Sequence, residues 1–199
     1  MQDLSDLELV TRVQNGDDSA FSELMKRHYG GILNYISRFT QDANNSEDLT
    51  QDVFLRVYRS IGKFKPEAKF TTWLYKIATN VCLTAVKSRG RNTDLSLDEI
   101  QDESYDIVED KSAPNPGDMS YRQEIGHAIS IALETLPERE RIAVLLCKYE
   151  EFNYDEVAEV IGCSVGAVKA YVHRGRMKLI SKLEVFLGDE GADESKDGG

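Results

Sequence analysis

The sequence has few cysteines, no long apolar run and no clustered metal ligands. Its three cysteines, Cys82, Cys147 and Cys163, are far apart and form no Cys-x-x-Cys pair. They argue against a disulfide framework or a zinc site and indicate a reducing, cytoplasmic environment. No segment approaches the roughly 18 apolar residues that a membrane span needs, so we expect no membrane insertion. The acidic amino terminus lacks the basic, apolar and small-residue order of a signal peptide.

Signatures of catalysis are also missing. The sequence shows no nucleophile with an arginine cluster, no clustered metal-binding carboxylates and no glycine-rich phosphate loop. Such features would be expected in a recombinase or another enzyme that acts on nucleic acid. We therefore predict no catalytic residues, no cofactor and no metal site.

Positive charge is scarce overall but concentrated in two segments. The formal net charge is −11, yet residues 63–92 carry +6 and residues 164–187 carry +4. Residues 93–122 carry −7. Charge asymmetry of this kind indicates partners rather than fold, and the two basic segments predict two DNA-facing surfaces. The acidic segments would repel non-specific DNA or, equally, contact a protein partner.

The stretch 152–183 has the pattern of two helices joined by a tight glycine turn. Asn153 and Glu156 form a capping-box pattern for the first helix, and Ser164 is placed to cap the second. Five basic residues and no acid lie between Ser164 and Leu183. A helix-turn-helix that ends in a basic helix fits a DNA major groove. The same pattern also fits an ordinary helical hairpin with a solvated basic face, so both interpretations stay open.

Helical periodicity also runs through the amino-terminal block. We predict helices around residues 7–13, over about 18–39, from a cap at Ser46, and from Thr71 to about Ser88. In the helix after Ser46, the side chains expected to face inward are Leu49, Val53, Phe54, Val57, Tyr58 and Ile61. Its outer face carries Asp48, Gln51, Asp52, Leu55, Arg56 and Arg59. This face fits ordinary solvated surface, but an apolar residue with a charged rim is also typical of a protein interface.

The helix from Thr71 combines aromatic, amide, hydroxyl and basic side chains on one face. At spacings of three and four residues, this face carries Trp73, Lys76, Asn80, Thr84 and Lys87. A stacking platform with cationic neighbours fits unstacked single-stranded bases. Arg89 and Arg91 follow in a cationic end that suits phosphates. Taken alone, Trp73 also fits a core position.

The remaining segments complete an all-α organisation with two small helical domains. Residues 93–122 are acidic, lack a helical period and contain two prolines, which predicts a flexible linker. Periodicity returns from Gln123, and Pro137 is placed in the first turn of a further helix. We predict domains at 1–92 and 123–187, followed by a disordered acidic tail at 188–199.

In order and spacing, these segments resemble the extracytoplasmic-function sigma factors of the sigma-70 family. The resemblance covers about residues 5–187. The residues that carry it are Ala20-Phe21, the stretch 47–54 (EDLTQDVF), the stretch 70–80 (FTTWLYKIATN), Leu136-Pro137-Glu138 and the stretch 154–169 (YDEVAEVIGCSVGAVK).

The resemblance implies a promoter-specificity factor rather than an enzyme. Such a protein binds core RNA polymerase and directs promoter recognition, DNA melting and transcription initiation, here in a stress or envelope response. Core polymerase and promoter DNA are thus expected partners, and an anti-sigma factor is a further one. The resemblance also implies a sigma-2-like first domain, a sigma-4-like second domain, and a linker that threads toward the polymerase active centre.

The resemblance further implies roles for individual residues. Core-polymerase binding is expected of Asp48, Gln51, Asp52, Leu55 and Arg56. Recognition and melting of the −10 element is expected of Trp73, Lys76, Asn80, Thr84, Lys87, Arg89 and Arg91. Recognition of the −35 element is expected of Lys169, Ala170, Tyr171, His173, Arg174 and Arg176.

Two short segments depart from the family pattern. Ala170-Tyr171 stand where Ser-Arg often follows the first basic residue, which removes one phosphate or base donor. Val81-Cys82-Leu83 follow Asn80, where more polar or basic residues are usual.

An alternative function is that of a two-domain helix-turn-helix regulator that acts without polymerase as an obligate partner.

Overall fold

The computed structural model describes residues 4–92 and 116–193, including the side chains of residues 4–88 and 125–184. The described residues form helices α1 (Asp6–Gln14), α2 (Asp18–Thr40), α3 (Ala43–Ser60), α4 (Phe70–Asn92), α5 (Pro116–Glu134), α6 (Glu138–Lys148), α7 (Tyr154–Ile161) and α8 (Val165–Asp193). A short 3₁₀ turn, Ile61–Lys63, follows α3. These two ranges contain no β-strand, so the predicted all-α fold is confirmed.

Side-chain caps set several of the helix starts. The capping box predicted for α7 is present, since Glu156 N donates to Asn153 Oδ1 over 3.0 Å and Asn153 N donates to Glu156 Oε2 over 2.9 Å. Ser164 caps α8 by accepting from the backbone of Ala167 over 3.2 Å. A further capping box, between Ser5 and Glu8, starts α1. Each cap satisfies backbone N–H groups that have no partner inside the helix.

The predicted cap at Ser46 is wrong. Helix α3 begins at Ala43, and Asp42 caps it by accepting from the backbone of Asn45 over 3.1 Å. Ser46 is buried inside the helix, where its hydroxyl donates to the Asp42 carbonyl oxygen. An aspartate was available three residues before Asn45, so the helix starts earlier than the Ser-Glu-Asp pattern indicated.

Other helix ends also differ from the sequence-based expectation. Pro137 is the residue before α6 rather than part of its first turn. Helix α5 begins at Pro116, inside the predicted linker, and a proline is well tolerated at a first helical position because it needs no N–H there. Helix α8 continues to Asp193, into the segment predicted as a disordered tail. Residues 93–115 and 194–199 lie outside the described residues.

Several large apolar side chains of the helices are exposed. Tyr58 of α3 was expected to face inward, but it is 48% exposed, and its hydroxyl donates to Asp18 over 3.0 Å. Leu7, Met25 and Ile180 are exposed as well. The inward orientation predicted for Tyr58 is therefore wrong, because its ring packs on the surface against Phe21 and its hydroxyl keeps a charged partner.

The helices form two groups that share a junction. In the first group, α2 packs against α1, α3 and α4, and in the second α8 packs against α5, α6 and α7. The groups meet where α4 contacts α7 and where α2 contacts α6. At this junction Arg141 Nη1 donates to the Phe39 carbonyl over 2.9 Å, and Lys69 Nζ lies 2.6 Å from Glu156 Oε1. The Arg38 guanidinium lies 4.3 Å from the centre of the Tyr149 ring.

Candidate nucleic-acid and polymerase interfaces

Helices α7 and α8 form the helix-turn-helix that the sequence predicts. Gly162 ends α7 with φ of 73°, a left-handed conformation that glycine adopts without a Cβ clash. Val157, Val160, Val168 and Val172 are buried between the two helices and the rest of the group. The turn therefore presents the amino-terminal half of α8 on the surface, as a recognition helix requires.

The predicted −35 residues divide into an exposed set and a partly covered set. Lys169, His173 and Arg176 are exposed on one side of α8, and the stretch between Ser164 and Leu183 contains no acid. Ala170 and Tyr171 are only half-buried beside them. The structure therefore brings the first three together into a cationic surface suited to phosphates and base edges.

Arg174 differs from these three because a buried carboxylate accepts a hydrogen bond from it. Its Nε donates to Glu140 Oε1 over 2.9 Å, and Lys178 Nζ donates to Glu140 Oε2 over 2.8 Å. Its guanidinium carbon also lies 5.2 Å from the centre of the Tyr171 ring. Glu140, in the first turn of α6, is only 6% exposed. The basic side of α8 thus covers a buried carboxylate.

The two cations hold Glu140 in its ionised form. Burial would raise the pKa of this carboxyl, but hydrogen bonds from Lys178 and Arg174, together with their charges, outweigh burial and lower the pKa below its ordinary value. Glu140 was not among the residues predicted from the sequence. Its true partners lie 34 and 38 residues away along the chain.

Apolar side chains accompany the cations on α8. A concave surface is lined by Tyr154, Lys169, Val172, His173, Arg176, Met177 and Ile180. Lys169 Nζ lies 6.0 Å from the centre of the Tyr154 ring. Tyr154 and Met177 were not among the predicted site residues, although Met177 follows His173 by four residues and so shares its helical face.

Most of the predicted −10 side chains lie together on one side of α4. Lys76, Asn80, Thr84 and Lys87 are all exposed, while Leu74, Ala78 and Val81 are buried on the opposite side. The Thr84 hydroxyl donates to the Asn80 backbone carbonyl over 2.8 Å, so this bond leaves the Asn80 side-chain amide unused. The backbone of Arg89 and Arg91 belongs to α4, but their side chains lie outside the described residues.

Trp73 is half-buried at one end of this exposed side. Its ring packs 5.2 Å from the centre of Phe64 and 5.9 Å from the centre of Phe70. Trp73 therefore joins the hydrophobic core at one edge while its other edge remains on the surface. One part of the Trp73 ring thus belongs to the core, and another part is exposed where a base could stack.

The predicted polymerase-binding residues form one side of α3. Asp48, Gln51, Leu55 and Arg56 are exposed, and Asp52 is partly exposed. Leu55 is 54% exposed, and beside it Asp52 and Arg56 form an ion pair of 2.8 Å one helical turn apart. An exposed apolar side chain with charged neighbours is a common anatomy for a protein interface.

The described residues contain no group of three or more His, Cys, Asp or Glu side chains placed to hold a metal ion. In the same part of the chain, no helix combines the length and apolar character needed to cross a membrane.

Comparison with known proteins identifies the family. Residues 24–92 match Sigma-70 region 2, and residues 127–179 match Sigma-70, region 4. The RNA polymerase sigma-H factor of Pseudomonas aeruginosa is 33% identical over 185 residues, which are 92% of this chain and 95% of that protein. The chain belongs to the sigma-70 family of RNA polymerase sigma factors.

Further relatives agree with this assignment. The sigma factor is 30% identical to the ECF RNA polymerase sigma-E factor of Escherichia coli K12 over 188 residues, or 94% of this chain and 98% of that protein. Its fold is similar to that of CnrH in complex with the cytosolic domain of CnrY, with a TM-score of 0.69, 22% identity and coverage of 90% and 97% of the two chains. It is also similar to the sigma factor RpoE in complex with the anti-sigma factor NepR from Bartonella quintana, with a TM-score of 0.66, 21% identity and coverage of 83% and 97%.

Family membership decides between the functions considered from the sequence. The protein is a sigma factor of the extracytoplasmic-function type, a non-enzymatic factor that binds core RNA polymerase and promoter DNA to initiate transcription. A regulator that acts without polymerase is not favoured.

Proposed function

We propose that this sigma factor divides promoter recognition and polymerase binding among three surfaces. The outer side of α3, with Leu55 at its centre, docks on core polymerase. The exposed side of α4 reads the −10 element as separated strands, and the amino-terminal half of α8 reads the −35 element as a duplex. The observation that carries the proposal is the capped start of α8, where Lys169, His173 and Arg176 are exposed without an accompanying acid.

Energetics favour two weak DNA readers that polymerase holds together. Opening duplex DNA costs about 1.4 kcal/mol per base-pair step. Stacking or hydrogen bonding of displaced bases contributes roughly 1–3 kcal/mol per base, so contacts along α4 could offset a short bubble. Because core polymerase holds both domains, the second DNA contact forms at a high effective concentration once the first has formed. Because the net charge is −11, we expect weak promoter binding by the isolated chain.

Run-off transcription with core polymerase tests the proposal. On templates with or without a −35 element, Lys169→Ala should reduce only the transcription that depends on the −35 element, by an amount equivalent to roughly 1–3 kcal/mol of binding free energy.

Variants on the other two surfaces should affect different steps. Asn80→Ala should impair open-complex formation and leave core binding intact, whereas Asp52→Arg should weaken core binding itself. Lys26→Ala, at an exposed lysine of α2 outside the three surfaces, is the control. Tight and salt-insensitive promoter binding by the isolated chain would contradict the proposal.

We propose two further aspects, which family membership supports. We place the protein in the cytoplasm, where core polymerase and chromosomal DNA are found. We also propose control by an anti-sigma factor, which is supported by the likeness to the complexes with CnrY and NepR. Co-purification of the full chain with such a protein, and release of transcription when that protein is removed, would test this control.

A further inference from the structure

Glu140 lies beneath the recognition helix but outside the helix-turn-helix itself. It belongs to the first turn of α6 and is 6% exposed, and both of its carboxylate oxygens accept from side chains of α8. Helices α6 and α8 approach closely at this point: a Cβ on Gly175 would lie 2.7 Å from Val144 Cγ2 and 3.4 Å from the Glu140 carbonyl oxygen. The backbone therefore holds Glu140 at a set position under Arg174.

The way Arg174 binds Glu140 leaves its other donors available. Only Nε is used, and among the described residues nothing accepts a hydrogen bond from Nη1 or Nη2. The Arg174 side chain is 48% exposed. Because the guanidinium is planar, a hydrogen bond at Nε restricts the plane in which the two terminal nitrogens lie. Those two nitrogens form the donor fork that matches a pair of acceptors.

A second contact restrains the same group from the side. The Tyr171 ring lies 5.2 Å from the Arg174 guanidinium carbon, and the Tyr171 hydroxyl accepts from Arg139 Nη1 over 3.2 Å. Two consecutive residues of α6, Arg139 and Glu140, thus hold Tyr171 and Arg174 in place. Tyr171 is one of the two residues at which the sequence departs from the Ser-Arg pattern of the family. The tyrosine at this position lies beside Arg174, which also donates a hydrogen bond to Glu140.

We propose that Glu140 is a positioning residue for promoter recognition, which orients Arg174 to donate two hydrogen bonds to paired acceptors on duplex DNA. The acceptors are either the O6 and N7 atoms of a guanine or the oxygens of a phosphate. Orientation before binding reduces the side-chain entropy lost on contact and so strengthens a bidentate interaction. This inference rests on the proposed reading of duplex DNA by α8.

The experiment measures holoenzyme binding to a promoter library randomised at the −35 element, across a range of salt concentrations. Arg174→Ala should weaken binding by roughly 5–150-fold and relax the preference at one base pair if the acceptor is guanine. If the acceptor is a phosphate, the affinity for all promoter sequences should fall alike. The slope of log affinity against log salt concentration should then decrease in magnitude by about one. Glu140→Gln should cause the same change in base preference or salt slope, with a smaller loss of affinity. In a protein that already carries Arg174→Ala, Glu140→Gln should cause no further loss of affinity.

Two variants separate positioning from charge and from folding. Glu140→Asp keeps the negative charge but withdraws the carboxylate from Arg174, so it should show the same loss as Glu140→Gln. Lys178→Ala removes the other partner of Glu140 and should leave the Arg174-dependent pattern unchanged. Circular dichroism melting of each variant identifies any that does not fold.

Several outcomes would overturn the inference. Additive effects of Glu140→Gln and Arg174→Ala would mean that the two residues act separately. Tighter binding by Glu140→Gln, with no change in preference or salt slope, would make Glu140 a neutralising charge. If Arg174→Ala has no effect while Lys169→Ala abolishes −35 dependence, the inference fails and the proposed function stands. If neither variant matters, the proposed function fails as well.

Discussion

The hydroxyl of Tyr75 donates a hydrogen bond to the carboxylate of Glu150 and so joins α4 to the segment that follows α6. The Tyr75 ring also packs edge-on against Phe152, with 5.0 Å between ring centres. Burial, followed by the neighbouring Glu150 charge, raises the pKa of the tyrosine well above its ordinary value. Tyr75 lies on the buried side of α4, away from the exposed side proposed to read the −10 element. One side of α4 thus contributes to the domain junction, and the opposite side is the one proposed to read the −10 element.

Tyr75→Phe should destabilise the full chain by about 1.5–3 kcal/mol, because it removes a hydrogen bond to a charged group and leaves the partly buried Glu150 without that donor. Urea unfolding followed by circular dichroism gives the free energy of unfolding. Tyr154→Phe is the matched control, since Tyr154 is 40% exposed. Equal unfolding free energies for the two variants would show that the junction hydrogen bond contributes no stability.

Two adjacent glycines of α2 should respond in opposite directions to substitution by alanine. A Cβ on Gly30 would meet no atom within 4 Å, so Gly30→Ala should stabilise the chain by about 0.5–1 kcal/mol. A Cβ on Gly31 would lie 2.9 Å from the Tyr75 hydroxyl oxygen, so Gly31→Ala should displace that group and cost about 1–3 kcal/mol. Thermal melts of both variants check the pair, and stabilisation by Gly31→Ala would contradict the close contact.

Leu55→Ala should weaken binding to core polymerase by about 1–2 kcal/mol, because it removes apolar area that the proposed interface would bury. The free energy of unfolding should change little, since the side chain is already exposed. Leu7→Ala in α1 is the control, with an exposure of 49%. Affinity for core polymerase, measured by competition with another sigma factor, distinguishes them. A larger loss for Leu7→Ala would move the docking surface to α1.

Glu140 should make the chain more stable at neutral than at acidic pH. Its pKa is lowered by Lys178 and Arg174 in the folded protein, so its contribution is present above the ordinary value of 4.5 and is lost as pH falls through the folded pKa. The difference in unfolding free energy between the unmodified protein and Glu140→Gln should therefore shrink on acidification below pH 4.5.

Glu150 provides a control of opposite sign for this pH dependence. Burial raises its pKa above 4.5 despite the hydrogen bond from Tyr75 and the charge of Arg38. Its contribution is therefore present below that value and lost as pH rises. The free energy of unfolding of the unmodified protein, relative to that of Glu150→Gln, should thus fall as pH rises. The same direction of change for both variants would mean that one of the two environments is incorrectly described.

Much of the architecture could be predicted from local sequence because the relevant interactions are local. The capping box of Asn153 and Glu156, the cap of Ser164 and the turn at Gly162 each depend on residues within a few positions. The exposed side of α4 followed from spacing alone, since Lys76, Asn80, Thr84 and Lys87 share one face of any helix. Where two local signals competed, as with Asp42 and Ser46, the prediction was wrong.

Sequence by itself therefore determined the all-α fold, the helix-turn-helix and the composition of each surface, because periodicity and capping act over three or four residues. Only the tertiary structure decided which members of those surfaces have partners. Glu140 and Arg174 are 34 residues apart, and Tyr75 and Glu150 are 75 apart. Contacts over such separations depend on how helices pack, and helical spacing carries no information about the packing partner. The tertiary structure thus turned an ordinary first-turn acid into the carboxylate beneath the recognition helix.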